Sequence, residues 1–270
     1  MYYVHKSLPE PQWLRELRQR VEAAHSRDTI DRLKESFRET YQNEVSGEQR
    51  NDLRRQLFCD QNGLCAFCAG RISPQEFPHS NSTKKGIKIA HLIPQSVNGT
   101  LALSWENMLG ACHGGESFWD GQIKREIPSN DQHCDTRQAN NELDPLLNPL
   151  NPTITQFVRC LNNGVIEALH PGDEKRKELQ DCIGHEHRPG TAQPEGHLNL
   201  NQPTLIQNRK AAIASVQDSL RQQAREQQAT VTLLERELLR WQSPNTNGCL
   251  REYAPFAIAY LEKKLRAIRP

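Results

Sequence analysis

No stretch of the chain approaches the ~18 consecutive apolar residues that a membrane-crossing helix needs. The opening residues, MYYVHKSLPEPQW, carry no apolar core of the kind that marks a secretory leader. Both absences point to a soluble cytoplasmic protein with no membrane partner. A basic excess is missing as well: 34 Lys and Arg stand against 33 Asp and Glu, a formal net charge of +1. Chains that grip nucleic acid unaided carry a clear positive surplus. Any phosphate contact here must therefore be local, or be supplied by a partner. There is no internal repeat and no low-complexity tract; Gln222 to Gln228 is rich in Gln but lies within helical periodicity.

What is present is patterned. Hydrophobic residues make up 36% of the chain, and the mean hydropathy of −0.78 is polar for a globular protein. The apolar positions nevertheless recur at regular steps, which argues against disorder. A length of 270 residues accommodates one to two domains. Residues 10–58 read as helical: Trp13, Leu14, Leu17 and Val21 form one stripe and Ile30, Leu33, Phe37 and Tyr41 another. Gly47 breaks the pattern, and Leu53, Leu57 and Phe58 suggest a further short helix. Residues 153–169 read as a β-hairpin turning at Asn162-Asn163-Gly164. Residues 170–203, rich in Pro, Gly, His and Asn, read as an irregular connection. Thr204 is expected to cap one long helix reaching Trp241, with Pro244 beyond its end, and Tyr253 to Leu265 form a last helix.

Eight cysteines in a reducing compartment point to metal or catalysis before disulfides. Cys65-Ala66-Phe67-Cys68 has the spacing that lets two sulfurs reach one ion at about 2.3 Å. Cys112 and Cys134 are expected to complete a structural Zn²⁺ site of four thiolates. They are 22 positions apart, so the second half of the site is split by an inserted loop. His113 and His133 stand beside them and could replace one thiolate. Cys59, Cys160, Cys182 and Cys249 are dispersed and read as structural thiols.

Between the two cysteine pairs, Ile87 to Ile93 is a strand running into His91-Leu92-Ile93-Pro94. Asn107 follows sixteen positions after His91, and Cys134-Asp135-Thr136-Arg137 after the insertion. In this order the sequence resembles the HNH nuclease superfamily. It is more closely similar to the PtuB family, the HNH component of Septu-type anti-phage defence also found beside some retrons. That resemblance extends to His5-Lys6-Ser7, Glu10-Pro11, Cys112-His113-Gly114-Gly115, His133-Cys134-Asp135, Asn148-Pro149 and Leu198-Asn199-Leu200-Asn201.

The resemblance implies an α+β fold: a small zinc-braced ββα-metal core, a following β-hairpin, and helical N- and C-terminal segments. Expected boundaries are 1–60, 61–145, 146–203 and 204–270. It implies a phosphodiester hydrolase with His91 as general base, since a neutral imidazole can accept a proton near pH 7. Asn107 would hold the strands so that His91 faces the phosphate. Asp135 would ligate a catalytic Mg²⁺ or Mn²⁺, hard cations that take oxygen. Arg137, Asn140 and Lys88 would contact substrate, with Lys84 and Lys85 as weaker candidates. A turn role for His91, a cap role for Asn107 and a helix N-cap role for Asp135 are the plainer alternatives. The implied partners are a PtuA-like ABC/SMC-type ATPase, DNA or RNA, and a retron reverse transcriptase with its msDNA. The terminal helical segments are where the ATPase contact is expected, 204–270 above all.

One departure stands out. Many family members carry Asp or Glu just before the histidine, and that carboxylate binds metal; here the position is Ala90. The site then uses Asp135 with another donor, of which Glu116, Asp120 and His113 are candidates, or it is weakened to a binding scaffold. Ala90→Asp is expected to strengthen metal binding.

Overall fold

The computed structural model describes residues 1–73, 86–115, 131–186, 196–224 and 230–268, and the backbone at 118–120 and 123–125. Lys84, Lys85 and Glu116, and the side chain of Asp120, lie outside the described residues. The protein is α+β and mostly helical, with three two-stranded antiparallel sheets among the described residues.

Three helices open the chain: α1 (Gln12–Ala24), α2 (Ile30–Asn43) and α3 (Gly47–Asp60). Their apolar stripes bury Leu14, Val21, Phe37, Tyr41, Leu53 and Leu57, as the spacing predicts. Ile30 departs from the stripe and is exposed in the first turn of α2. The pattern breaks before Gly47 as expected, and Gly47 is the first residue of α3. The preceding Ser46 makes a reciprocal capping box with Gln49, satisfying two amides that the helix start would otherwise leave unpaired.

β1 (Lys88–His91) pairs with β2 (Met108–Ala111), with Lys88 opposite Ala111 and His91 opposite Met108. The loop between them folds as two short 3-10 turns, Gly99–Leu103 and Trp105–Asn107. Helix α2 lies directly on the first turn. A Cβ on Gly99 would sit 2.2 Å from the Lys34 carbonyl oxygen, so only glycine permits this approach. A second pair, β3 (Phe118–Asp120) and β4 (Ile123–Arg125), lies within the insertion, and the short helix α4 (Cys134–Gln138) follows.

The hairpin β5 (Val158–Cys160) and β6 (Ile166–Ala168) turns as expected, with Gly164 at φ +91°. Its strands are shorter than the sequence suggests because Ile154–Gln156 forms a 3-10 turn instead. The connection after it is not irregular throughout: α5 (Asp173–Ile183) occupies it and buries Leu179, Cys182 and Ile183. The single long helix is also corrected. Helices α6 (Pro203–Ala224) and α7 (Thr230–Gln242) fold back on each other. The Ser219 hydroxyl donates to Glu237 Oε2 at 3.1 Å, whereas eighteen residues of continuous helix would span about 27 Å.

α8 (Ala254–Ile268) completes the C-terminal segment. Its apolar face joins Val216, Leu234 and Trp241 in a second, smaller core. The main core gathers residues from α1–α3, the Cys65 turn, β1–β2, the hairpin and α5, together with Leu205, Tyr253 and Phe256. The start of α6 and the entry to α8 are thus built into the body of the protein. Among the described residues, no helix is long and apolar enough to cross a membrane.

Candidate metal centre and adjoining histidine pocket

The thiols of Cys65, Cys68, Cys112 and Cys134 lie within 4.8 Å of one another. Cys65 and Cys134 sulfurs are 3.9 Å apart, and those of Cys68 and Cys112 are 3.8 Å apart. A tetrahedron with 2.3 Å metal–sulfur bonds has edges of about 3.8 Å. The four cysteines could therefore hold a metal ion such as zinc. Cys65, Cys68 and Cys134 are buried and Cys112 nearly so, the closed form typical of structural rather than catalytic sites.

Local backbone explains the convergence. The Ala69 amide donates to the Cys65 carbonyl at 2.9 Å, and the Gly70 amide reaches Cys68 Sγ at 3.4 Å. The buried Gln61 side chain bonds both the Leu64 carbonyl and Gly110 of β2, fastening the turn to the sheet. On the other side, the His133 amide donates to the Gly114 carbonyl at 2.8 Å. That bond closes the base of the insertion and returns Cys134 to Cys112. Gly114 sits at φ +55°, and a Cβ there would fall 2.0 Å from the His133 carbonyl oxygen, so glycine is required.

His133 Nδ1 is 3.1 Å from Cys134 Sγ, beside a set that four sulfurs already complete. Burial opposes ionisation of Cys65, but its hydrogen bonds with Cys112, Cys134 and Cys68 hold its pKa well below the usual thiol value. Burial also pushes the Cys134 thiol up. A bound cation would reverse that second effect and ionise all four.

The second site lies at the opposite end of the β1–β2 pair. His91 and Asp135 line an open pocket of about 320 Å³ together with Gln95 and Asn140. The His91 ring is held on three sides. Its Nε2 lies 3.1 Å from the Ala102 carbonyl oxygen, which can only accept, so Nε2 carries the proton and Nδ1 the lone pair. The Gln95 amide nitrogen stands 3.3 Å from Nδ1, and the Tyr41 ring meets the imidazole edge-on at 4.8 Å between centroids. Burial lowers the His91 pKa, against the opposing pull of the Ala102 carbonyl and the Asp135 charge. The net shift favours the neutral ring.

Asn107 clamps the turn that carries His91. Its Oδ1 accepts from the Ile93 amide at 2.8 Å, and its Nδ2 donates to the carbonyls of Ile93 at 3.0 Å and Leu101 at 3.2 Å. This is a tie between two loop segments, not a helix cap. Asp135 is not an N-cap either: His133 holds that position, and no side chain caps the helix. Asp135 instead pairs with Lys88 at 2.9 Å, and the Lys88 ammonium also donates to the Thr136 hydroxyl at 3.3 Å.

Asn140 stands at the pocket edge and accepts from the Ser96 hydroxyl at 2.8 Å. Arg137 does not join the pocket lining; its Nε donates to the Gly196 carbonyl at 3.3 Å. Ala90 is fully buried and faces the core, away from the pocket that Ile89 and His91 line. The expectation for Ala90→Asp is thereby reversed: as the strand stands, a carboxylate there is buried rather than presented to the pocket. Among the described residues, Asp135 is the one carboxylate in the pocket lining. Among the described residues, only the four cysteines form a cluster fit to hold a metal by themselves.

Sequence reasoning missed the contribution of α2. Arg38 and Gln42 line the same pocket, and Tyr41 supports the histidine. The amphipathic stripe announces only that Tyr41 is buried. No protein-family model matches the chain, and no curated protein matches it.

Proposed function

We propose that the chain is a nuclease of the HNH (ββα-metal) type, hydrolysing a phosphodiester in the His91 pocket as the effector of an anti-phage defence complex with an ABC/SMC-like ATPase. The observation that carries this reading is the state of His91. Its Nε2 proton faces the Ala102 carbonyl, burial favours its neutral form, and the residue lines an open pocket together with Asp135 and Gln95, whose amide meets the ring. A strand pair followed by a short helix that starts at a buried thiol cluster supports the same reading.

In the reaction, His91 Nδ1 takes a proton from water as the water oxygen attacks phosphorus, and the bond from phosphorus to the leaving sugar oxygen breaks. Asn107 keeps the imidazole oriented through its grip on Ile93 and Leu101, and Tyr41 fixes the ring plane. Asn140, with Arg38 of α2, can orient the phosphate. Asp135 offers one oxygen to a Mg²⁺ or Mn²⁺ ion, which when bound would relieve charge on the phosphate and the leaving oxygen. The remaining positions would fall to water and substrate, as is usual for Mg²⁺.

A net charge of +1 fits a division of labour in which the ATPase supplies most of the affinity for nucleic acid. The exposed face of the C-terminal helices is the proposed partner contact. Deleting 204–270 outright would not test it, because Leu205, Arg209 and Phe256 are part of the body of the fold. A second reading, a zinc scaffold without catalysis, draws on the Lys88–Asp135 ion pair and the apolar Ala90.

The test is cleavage of plasmid DNA and total RNA with Mg²⁺ or Mn²⁺, comparing the chain with His91→Ala, each with and without the ATPase. Cleavage that disappears in the variant sustains the nuclease and identifies its substrate. Absence of cleavage in every arm, with zinc still bound, supports the scaffold.

A further inference from the structure

Among the described residues, Arg209 is the largest fully buried side chain, with 0% exposure. Its Nε donates to the Gly164 carbonyl at 2.6 Å, and one Nη donates to the Leu200 carbonyl at 2.7 Å and Asn201 Oδ1 at 3.4 Å. The other Nη has no hydrogen-bond partner. None of these acceptors is a carboxylate. A buried cation without an anion costs several kcal/mol, and such a charge persists where something balances it.

The surroundings indicate what does. The neighbouring Asn208 donates to the Tyr253 hydroxyl at 2.9 Å. That hydroxyl packs against Gly70, and the Tyr253 amide donates to the Ala69 carbonyl, so the same contact reaches the turn that carries Cys68. From the other side, Arg209 holds Leu200, while the Cys134 amide donates to the Leu198 carbonyl at 2.8 Å. One half of the thiol cluster is thus tied to the Leu198–Leu200 segment that Arg209 holds, and the other to Tyr253, which the neighbouring Asn208 holds. Burial lowers its pKa, and the thiols of Cys160, Cys68 and Cys134 with the Tyr253 hydroxyl pull the other way. Neither Cys160 nor Tyr253 supplies the anion, since burial pushes both upward and keeps them neutral. A divalent ion held by four thiolates carries a net charge of −2.

We propose that Arg209 is the built-in counter-charge of the tetrathiolate metal site, so that metal retention and docking of the C-terminal helices support each other. This rests on the zinc reading of the four cysteines and not on the nuclease reading. The Leu198-Asn199-Leu200-Asn201 segment is then the strap between the two charges. Its Leu198 and Leu200 carbonyls serve the cluster and the guanidinium respectively.

The test is zinc affinity of the full chain, measured by competition with a chromophoric chelator, for wild type, Arg209→Met and Arg209→Lys. Loss of a partner outside the ligand set typically weakens metal binding by about 10- to 100-fold, and that is the loss expected for Arg209→Met. Arg209→Lys, which keeps the charge and loses the fork of hydrogen bonds, should stay within about threefold of wild type. Unchanged affinity in Arg209→Met overturns the proposal, as does an equal loss in both variants. Should Arg209→Met fail to fold, Arg209→Lys decides alone: affinity near wild type sustains the proposal, and a tenfold loss overturns it. A wild type that binds no zinc rejects the metal reading itself.

Discussion

The two ends of the β1–β2 pair have opposite designs. At the Ala111 end, four identical sulfurs, three buried and one partly buried, converge on one point. At the His91 end, one imidazole, one carboxylate and the amides of Gln42, Gln95 and Asn140 line an open pocket. The first arrangement satisfies one ion completely, and nothing further can bind. The second leaves positions free for a substrate to fill. The difference teaches that the thiol cluster holds the short strands in register so that the pocket need not stabilise itself. A two-stranded sheet of four-residue strands is marginal alone; here Gln61 ties β2 to the Cys65 turn, and an ion held by the four thiols would add a second tie.

That contrast can be broken from either end. The largest effect should come from the closed end. Structural zinc contributes on the order of 10 kcal/mol of folding free energy, so removing it by strong chelation, or by Cys65→Ser, should abolish the cooperative thermal transition of the core. A melting curve unchanged by chelator would show that the sulfurs hold nothing.

Next comes Ala90→Asp, which buries a carboxylate in the core beneath the sheet. The expected loss is about 3 kcal/mol or more, read by denaturant titration, with no gain in Mn²⁺ binding by calorimetry. Tighter Mn²⁺ binding in a stable variant would mean that residue 90 reaches the pocket after all. Asn107→Ala is smaller. It removes three hydrogen bonds and leaves the Ile93 amide and carbonyl to find other partners, for a loss of about 2–4 kcal/mol. Its sharper readout is activity, which should fall by more than the stability change explains, because the His91 turn loses its tie. Equal activity per folded molecule would reduce Asn107 to a structural residue.

How much of this is legible in the sequence depends on the range of the determining contact. Cys65-x-x-Cys68 is local chemistry, and its spacing alone identifies a ligand pair. That Cys112 and Cys134 complete it is legible as a need for two more ligands. The closure at Gly114 and His133 is not, because a backbone bond across an insertion leaves no periodic trace. His91 and Asn107 are readable as a motif, yet the fixed tautomer depends on the Ala102 carbonyl, which any residue could supply. Helix α2 shows only its buried stripe in the sequence; the approach at Gly99 that brings Arg38 and Tyr41 to the pocket is tertiary. Helix α5 escapes notice because only Leu179, Cys182 and Ile183 of its eleven residues are buried. The reversal between α6 and α7 interrupts a stretch whose residues all favour helix. Arg209 has no sequence signature of burial, and only packing reveals it as fully buried.

The most direct measurement is single-turnover cleavage as a function of pH by wild type and His91→Ala, with the ATPase present and with zinc content and melting temperature recorded for both. Loss of a general base should lower the rate by about 10²- to 10⁴-fold while zinc and melting temperature stay unchanged. In the wild type the base works when neutral, so activity falls as pH drops through the His91 pKa. Burial lowers that pKa, and the acid limb should lie below the ordinary imidazole value of about 6.5. A His91→Ala variant that cleaves at the wild-type rate, or an acid limb that persists unchanged without the imidazole, would contradict the account.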